Sequence, residues 1–219
     1  MPEFIYQPPT NPISILFEDK SILVANKPAG LLSVPGRLEQ HKDSLILRMQ
    51  DLYGEIHCVH RLDMDTSGIM LMAKNKTALS NLSKQFQQRT VGKMYRAIVW
   101  GKPAANTGEI DEPLITDWPN RPLQKICYEE GKPSITQYKL IASDGKYSQL
   151  ELYPITGRSH QLRIHLQSID HPILGCRFYA HQQALEAAPR LLLHASQLEF
   201  SHPESQNPMK ILSPNQFDF

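Results

Sequence analysis

Apolar runs in this chain are short, and seventeen prolines are scattered among them as turn punctuation. The longest uncharged apolar stretches, such as Ile69 to Ala73, are the size of one strand. A bilayer span needs roughly 20 apolar residues in a row. A chain so interrupted has to fold as many short strands joined by loops, with helices only where apolar residues recur at helical spacing. Strands are expected at 13–17 and 21–25, around the turn Glu18-Asp19-Lys20, and again at 58–60, 69–73 and 93–100. Later ones are expected around Ile126 and over 134–141, 147–153 and 191–200. Three helices fit between them. One starts from Asp43 as N-cap and ends at Gly54, one covers 76–88 with Leu79, Leu82 and Phe86 on a face, and one starts near Ser159 and carries Leu162, Leu166 and Ile169. Strands outnumber helices and do not alternate with them. The expected class is therefore α+β, with a mixed, mostly antiparallel sheet flanked by helices and loops.

At 219 residues the chain is long enough to bury a substantial core. No basic segment followed by an apolar one opens it, and its three cysteines, Cys58, Cys127 and Cys176, are too scattered for a disulfide framework. A cytoplasmic protein is expected. The formal charge of +1 does not advertise a nucleic-acid binder. Its distribution says more. From Thr66 to Gly108 there is no Asp or Glu, while Lys74, Lys76, Lys84, Arg89, Lys93, Arg96 and Lys102 all fall there. A second acid-free stretch, Leu152 to Ile169, holds Arg158, His160, Arg163 and His165. Such segregation can give a nearly neutral molecule a cationic face, and a polyanion responds to the local field. Ordinary surface clustering would leave the same pattern.

One segment concentrates reactive side chains. His60-Arg61-Leu62-Asp63-Met64-Asp65-Thr66-Ser67-Gly68 places a guanidinium, two carboxylates and two hydroxyls in a loop between two short apolar strands. Loops fixed by a sheet are where catalytic groups are commonly mounted. A turn in which Asp63 or Asp65 bonds its own backbone fits the spacing equally well. No phosphate-binding glycine loop or dinucleotide fingerprint occurs. His57, Cys58 and His60 lie too close together on a strand to close a tetrahedral metal site, and Cys58 with His60 makes a poor nucleophile pair for the same reason. His194, inside the apolar run Leu191 to Ala195, fits a core histidine better than a catalytic one.

The nine-residue segment decides between the readings by resemblance. His-Arg-Leu-Asp-x-x-Thr-Ser-Gly is the signature of the RluA family of pseudouridine synthases, and His60 to Gly68 match it intact. Asn26 to Val34 resembles the family's N-terminal motif, Lys93-Met94-Tyr95 its Lys-x-Tyr element, Thr156 to His165 its third motif, and Arg190 to Ala195 its C-terminal one. The matches follow family order and cover nearly the whole chain. Asp117 to Pro122 and Cys127 to Glu129 are similar to compact members that act on both 23S rRNA and tRNA anticodon stem-loops.

That resemblance implies one pseudouridine synthase catalytic domain over 1–219, without an S4 domain, that isomerises uridine in folded RNA. It implies no cofactor and no metal, no obligate protein partner, and a monomer. By residue-to-residue match Asp63 is the catalytic carboxylate, Arg163 its guanidinium partner, and Tyr95 the active-site tyrosine that stacks on the extracted uracil. Arg61 matches the residue proposed to fill the gap left in the RNA stack. His60, Lys93 and Arg158 complete the expected RNA-contacting set, Arg158 at the opening of a helix whose N-terminus favours phosphate. Two rivals stay open: a catalytically silent RNA-binding module, and an aspartate-dependent N-glycosidase that releases the base.

Overall fold

The first strands form where β-branched and other apolar residues run between turn formers. In the computed structural model, which describes residues 5–214 and Phe217, β1 (Ser14–Glu18) pairs antiparallel with β2 (Ile22–Lys27). Asp19 makes the turn between them, its Oδ1 accepting from the amides of Ser21 and Ile22 at 2.8 Å each. The described chain divides into two compact units, residues 5–92 with 195–214, and residues 93–194 with Phe217.

In the first unit, α1 (Leu45–Tyr53) is followed by β3 (His57–Cys58), β4 (Ser67–Ala73) and α2 (Lys76–Gln87). Strands β2 and β3 both pair antiparallel with β4. All seven residues of β4 are buried, so its sequence is continuously apolar instead of alternating. Alternate side chains enter different cores. Ile69, Leu71 and Ala73 pack with Ala78 and Leu82 of α2, whereas Met70 and Met72 pack with Leu45, Ile46 and Met49 of α1. The helices therefore cover opposite faces of this sheet. Helix α1 begins differently from expectation. Ser44 is its N-cap, without a side-chain cap bond. The carboxylate of Asp43 is instead engaged by the Arg48 fork, Nε to Oδ1 at 2.8 Å and Nη2 to Oδ2 at 2.6 Å. A bidentate charged pair satisfies that carboxylate better than a single amide. Helix α2 has the N-cap its sequence allows, Asn75 accepting from the Ala78 amide at 2.8 Å.

The second unit continues from β5 (Gly92–Trp100) through β6 (Thr107–Asp111), β7 (Leu114–Thr116), β8 (Gln124–Ile126), β9 (Ile135–Ser143) and β10 (Tyr147–Pro154). Strand β10 lies antiparallel between β5 and β9, and β6 pairs with β9. Strands β7 and β8 form a separate two-stranded hairpin. Helix α3 (Gln161–Ser168) lays Leu162 and Leu166 against Ala97, Val99, Leu150 and Leu152, with Ile169 packed at the edge. It begins at Gln161, so Gly157-Arg158-Ser159 precede the helix instead of opening it. The short α4 (Gln182–Glu186) leads to β11 (Leu193–Ser201), whose part within the first unit pairs antiparallel with β12 (Pro208–Leu212). The fold is α+β with a mostly antiparallel sheet, as expected. Strands β6, β7 and β12 and helix α4 are additions to the expected set. Each is short, and β12 starts on a proline, so none carries a periodic signal.

Candidate active site

The sequence-derived residues fall into two sets, one in each unit. In the first unit, the loop from Val59 to Thr66 joins β3 to β4 and carries His60, Arg61 and Asp63. Its conformation is fixed from both sides of Asp63. Before it, the Leu62 amide donates to Ser33 Oγ at 3.1 Å, and the same hydroxyl donates back to the Leu62 carbonyl at 2.6 Å. After it, the Met64 carbonyl accepts from the Gly30 amide at 2.9 Å and from Lys27 Nζ at 3.0 Å. The Thr66 amide closes the turn onto the Asp63 carbonyl at 3.1 Å. Asp63 itself is half-buried, neither sealed nor fully in solvent. Beyond it, Gly68 takes φ 115°, and an added Cβ would lie 2.3 Å from the Ala195 carbonyl oxygen. Only glycine fits that approach.

Lys27 was visible only as part of a motif, and the structure gives it a task. Its side chain is fully buried. Nζ donates to three carbonyls, Leu31 at 2.7 Å, Pro28 at 2.9 Å and Met64 at 3.0 Å, one for each proton of an ammonium. Burial pushes its pKa down to about 7, with the charges of Asp63 and Asp65 opposing the shift. A buried cation beside two carboxylates sets the local field of the loop. A sequence signal existed: a lysine at the end of a largely apolar strand, ahead of the Pro28 to Gly30 turn.

His60 is engaged within this unit. Its Nε2 accepts from the Leu71 amide at 2.9 Å and its ring stacks on Phe86 with centroids 4.7 Å apart. Arg61, next in sequence, is exposed. Cys58 donates its thiol to the His60 carbonyl at 3.1 Å, and burial raises its pKa.

In the second unit, Tyr95 sits on β5 opposite Leu152 of β10, half-buried at the edge of the core. Lys93, two residues earlier, brings Nζ to 3.9 Å from where a Gly157 Cβ would stand, so the Lys93 and Arg158 segments adjoin. Arg163 is among the most buried side chains, 1% exposed. Its Nε lies 3.3 Å from Cys176 Sγ, and its guanidinium rests over Phe178 and Tyr179 at 5.0 and 5.4 Å from the ring centroids. Such stacking holds a planar cation without removing its charge. The helix start beneath it is braced by side chains. Gln161 accepts from Thr156 Oγ1 at 2.7 Å and from the Arg158 amide at 3.0 Å, and donates to the Ile135 carbonyl and Thr136 Oγ1 at 3.0 Å each. His165 bonds Thr136 Oγ1 at 2.9 Å and the Glu112 carbonyl at 3.1 Å, and burial lowers its pKa. His160 enters the helix from the left-handed region, φ 55°, and shares a 2.6 Å hydrogen bond with the Tyr179 hydroxyl. His194 is a core residue here, fully buried, with its pKa pushed down to about 4 by burial and by Arg190.

The comparisons with known proteins converge. The RNA pseudouridylate synthase family model matches residues 21–168. A dual-specificity RNA pseudouridine synthase RluA from Vibrio parahaemolyticus is 55% identical over 218 residues, 97% of this chain and 87% of that one. The protein of the same description from Escherichia coli K12 is 52% identical over 215 residues, 97% and 98% of the two chains. Among solved structures, human RNA pseudouridylate synthase domain containing 1 superposes with a TM-score of 0.76 at 26% identity, covering 99% of this chain and 87% of that one. Human RNA pseudouridylate synthase domain containing 4 gives 0.74 at 28% identity, covering 92% and 88%. With the signature loop intact and family identity running through both units, this chain belongs to the RluA family of RNA pseudouridine synthases and is an isomerase.

Proposed function

We propose that this chain converts uridine to pseudouridine at specific positions of structured RNA, in 23S rRNA and in tRNA anticodon stem-loops, without metal or cofactor. The observation that carries the reading is Asp63, in the intact signature, flanked by two residues whose backbones are fixed by Ser33, Gly30 and Lys27. A carboxylate held this way reaches one point in space repeatedly, as attack at a sugar carbon requires. Asp63 either bonds to C1′ or steadies a cationic sugar while the N1–C1′ bond breaks. The uracil turns, C5 bonds to C1′ as any Asp63–C1′ bond breaks, and the proton lost from C5 is matched by one gained at N1, so the RNA keeps its mass.

Each remaining residue takes the role its motif position implies. Arg163 takes the role of the family's motif arginine, and Tyr95 gives the turning uracil a ring to stack on and a hydroxyl for proton transfer. Arg61, exposed on the loop, takes the place of the extracted base, while Lys93 and Arg158 meet phosphate. His60 serves the RNA through the loop it anchors. Among the described residues no helix is long and apolar enough to cross a membrane, in keeping with a cytoplasmic enzyme. A monomer is the working unit proposed.

Incubation with a folded tRNA stem-loop and with a 23S rRNA fragment tests the proposal. Pseudouridine is expected in both, with unchanged RNA mass and no free uracil. Free uracil with an abasic RNA would make the protein a glycosidase, and an unmodified RNA would make it a silent binder.

A further inference from the structure

Trp118 is the largest aromatic ring set out in solvent, 64% exposed, at the tip of the β7–β8 hairpin. Leaving an indole uncovered forgoes the burial of a large apolar surface. Here it is also held in place. The Arg121 guanidinium lies over the ring, 3.5 Å from its centre.

The tip under this pair is tightly bonded. The Asp117 amide donates to the Leu123 carbonyl at 2.9 Å, and the Asn120 amide to the Asp117 carbonyl at 3.0 Å. The Leu123 amide donates to the Asn120 carbonyl at 3.0 Å, and Asn120 Nδ2 to Asp117 Oδ2 at 2.8 Å. Pro119 and Pro122 restrict the backbone further. Lys125 Nζ stands 3.9 Å from Asp117 Oδ1, so the one carboxylate of the hairpin is offset. Over 114–126 two cations, Arg121 and Lys125, face one anion, Asp117, for a balance of +1. At its base the hairpin is tied to the Arg163 region, because the Gln124 amide donates to the Tyr179 hydroxyl at 3.0 Å and that hydroxyl bonds His160.

A rigid aromatic face backed by a guanidinium suits an unpaired nucleobase. Every base offers a π-face, and the cation adds attraction for both ring and phosphate. Preorganisation keeps the ordering cost of binding low. We propose that Trp118, backed by Arg121, is a stacking platform for one unpaired base of the RNA substrate, distinct from the uracil that meets Tyr95. The platform rests on the reading of this chain as an RNA pseudouridine synthase. It would make the hairpin a reader of loop structure instead of a general phosphate contact.

The test compares full-length wild type with Trp118→Ala, Trp118→Phe and Arg121→Ala, binding a fluorescein-labelled stem-loop RNA and a blunt duplex of the same stem, by anisotropy. Trp118→Ala is expected to weaken stem-loop binding about 5- to 100-fold, Trp118→Phe to retain most of it, and duplex binding to change little. A ring so exposed can be truncated without loss of fold, which an unchanged thermal midpoint verifies. Stem-loop binding by Trp118→Ala within about twofold of wild type, or an equal loss on the duplex, overturns the proposal. Wild type is assayed for pseudouridine in parallel. Its absence would overturn the enzymatic reading, while the binding comparison would still decide the platform.

Discussion

The loop that carries Asp63 and the helix start that carries Arg163 solve the same problem with different materials. Around Asp63 the constraints fall on the main chain. Leu62 and Met64 are bonded through their own backbone groups to Ser33, Gly30 and Lys27. Around Arg163 they come from side chains: Gln161 joins four partners, His165 two, and Phe178 and Tyr179 lie beneath the guanidinium. A carboxylate on a short stem can be no better placed than its backbone. A guanidinium on a long stem has to be held where its charge is, at the far end. Where the charged group is on a short stem, the fold fixes the chain; where the stem is long, the fold fixes the tip.

The contrast can be broken at either end. Lys27→Met carries the largest expected effect among the supporting residues. It leaves the Leu31 and Pro28 carbonyls without their ammonium partner, for a stability loss of about 2 kcal/mol. It also frees Met64 on one side, for an activity loss of roughly a hundredfold. Denaturant unfolding and single-turnover rates read the two separately. The same residue sets a pH dependence. Its folded pKa lies near 7, below the ordinary 10.5, so between those values the unfolded chain binds more protons than the folded one. Stability at this position therefore rises with pH across that window, and the burial cost of the charge is fully present below about 7. The stability difference between wild type and Lys27→Met should shift in favour of wild type as the pH is raised through it. A flat difference would contradict the buried-cation account.

Ser33→Ala sharpens the comparison further, because one hydroxyl serves both the amide and the carbonyl of Leu62. A stability loss of about 1–2 kcal/mol is expected, with a fall in rate larger than that loss of folded protein explains. Tyr179→Phe should be milder. It removes the bonds to His160 and Gln124 but keeps the ring under Arg163, so about 1 kcal/mol and a small rate effect are expected from melting curves and turnover. A rate loss for Tyr179→Phe as large as for Ser33→Ala would show that both sites are positioned alike.

Much of this was legible in the residues, for stated reasons. The β4 strand and α2 helix could be placed because an uninterrupted apolar run and a regular 3.6-residue spacing each admit one structure. The Asp63 loop could be found because its signature is long. Other features could not. Asp43 looked like a cap, yet Arg48, five residues on, draws its carboxylate away. The opening of α3 was expected two residues early because Gln161 caps Arg158 from inside the helix. Lys27 showed only its place ahead of the Pro28 to Gly30 turn, since its carbonyl partner Met64 comes from 37 residues away and meets it only in the fold.

The central claim is that Asp63 performs the chemistry while the fold around it performs the positioning. Asp63→Asn preserves size and shape and removes only the charge. Measured on a folded stem-loop, it should bind RNA within a few-fold of wild type, about the scale of one lost polar contact. It should form pseudouridine roughly a thousandfold more slowly or not at all. Pseudouridine formation by Asp63→Asn at the wild-type rate would contradict the account outright.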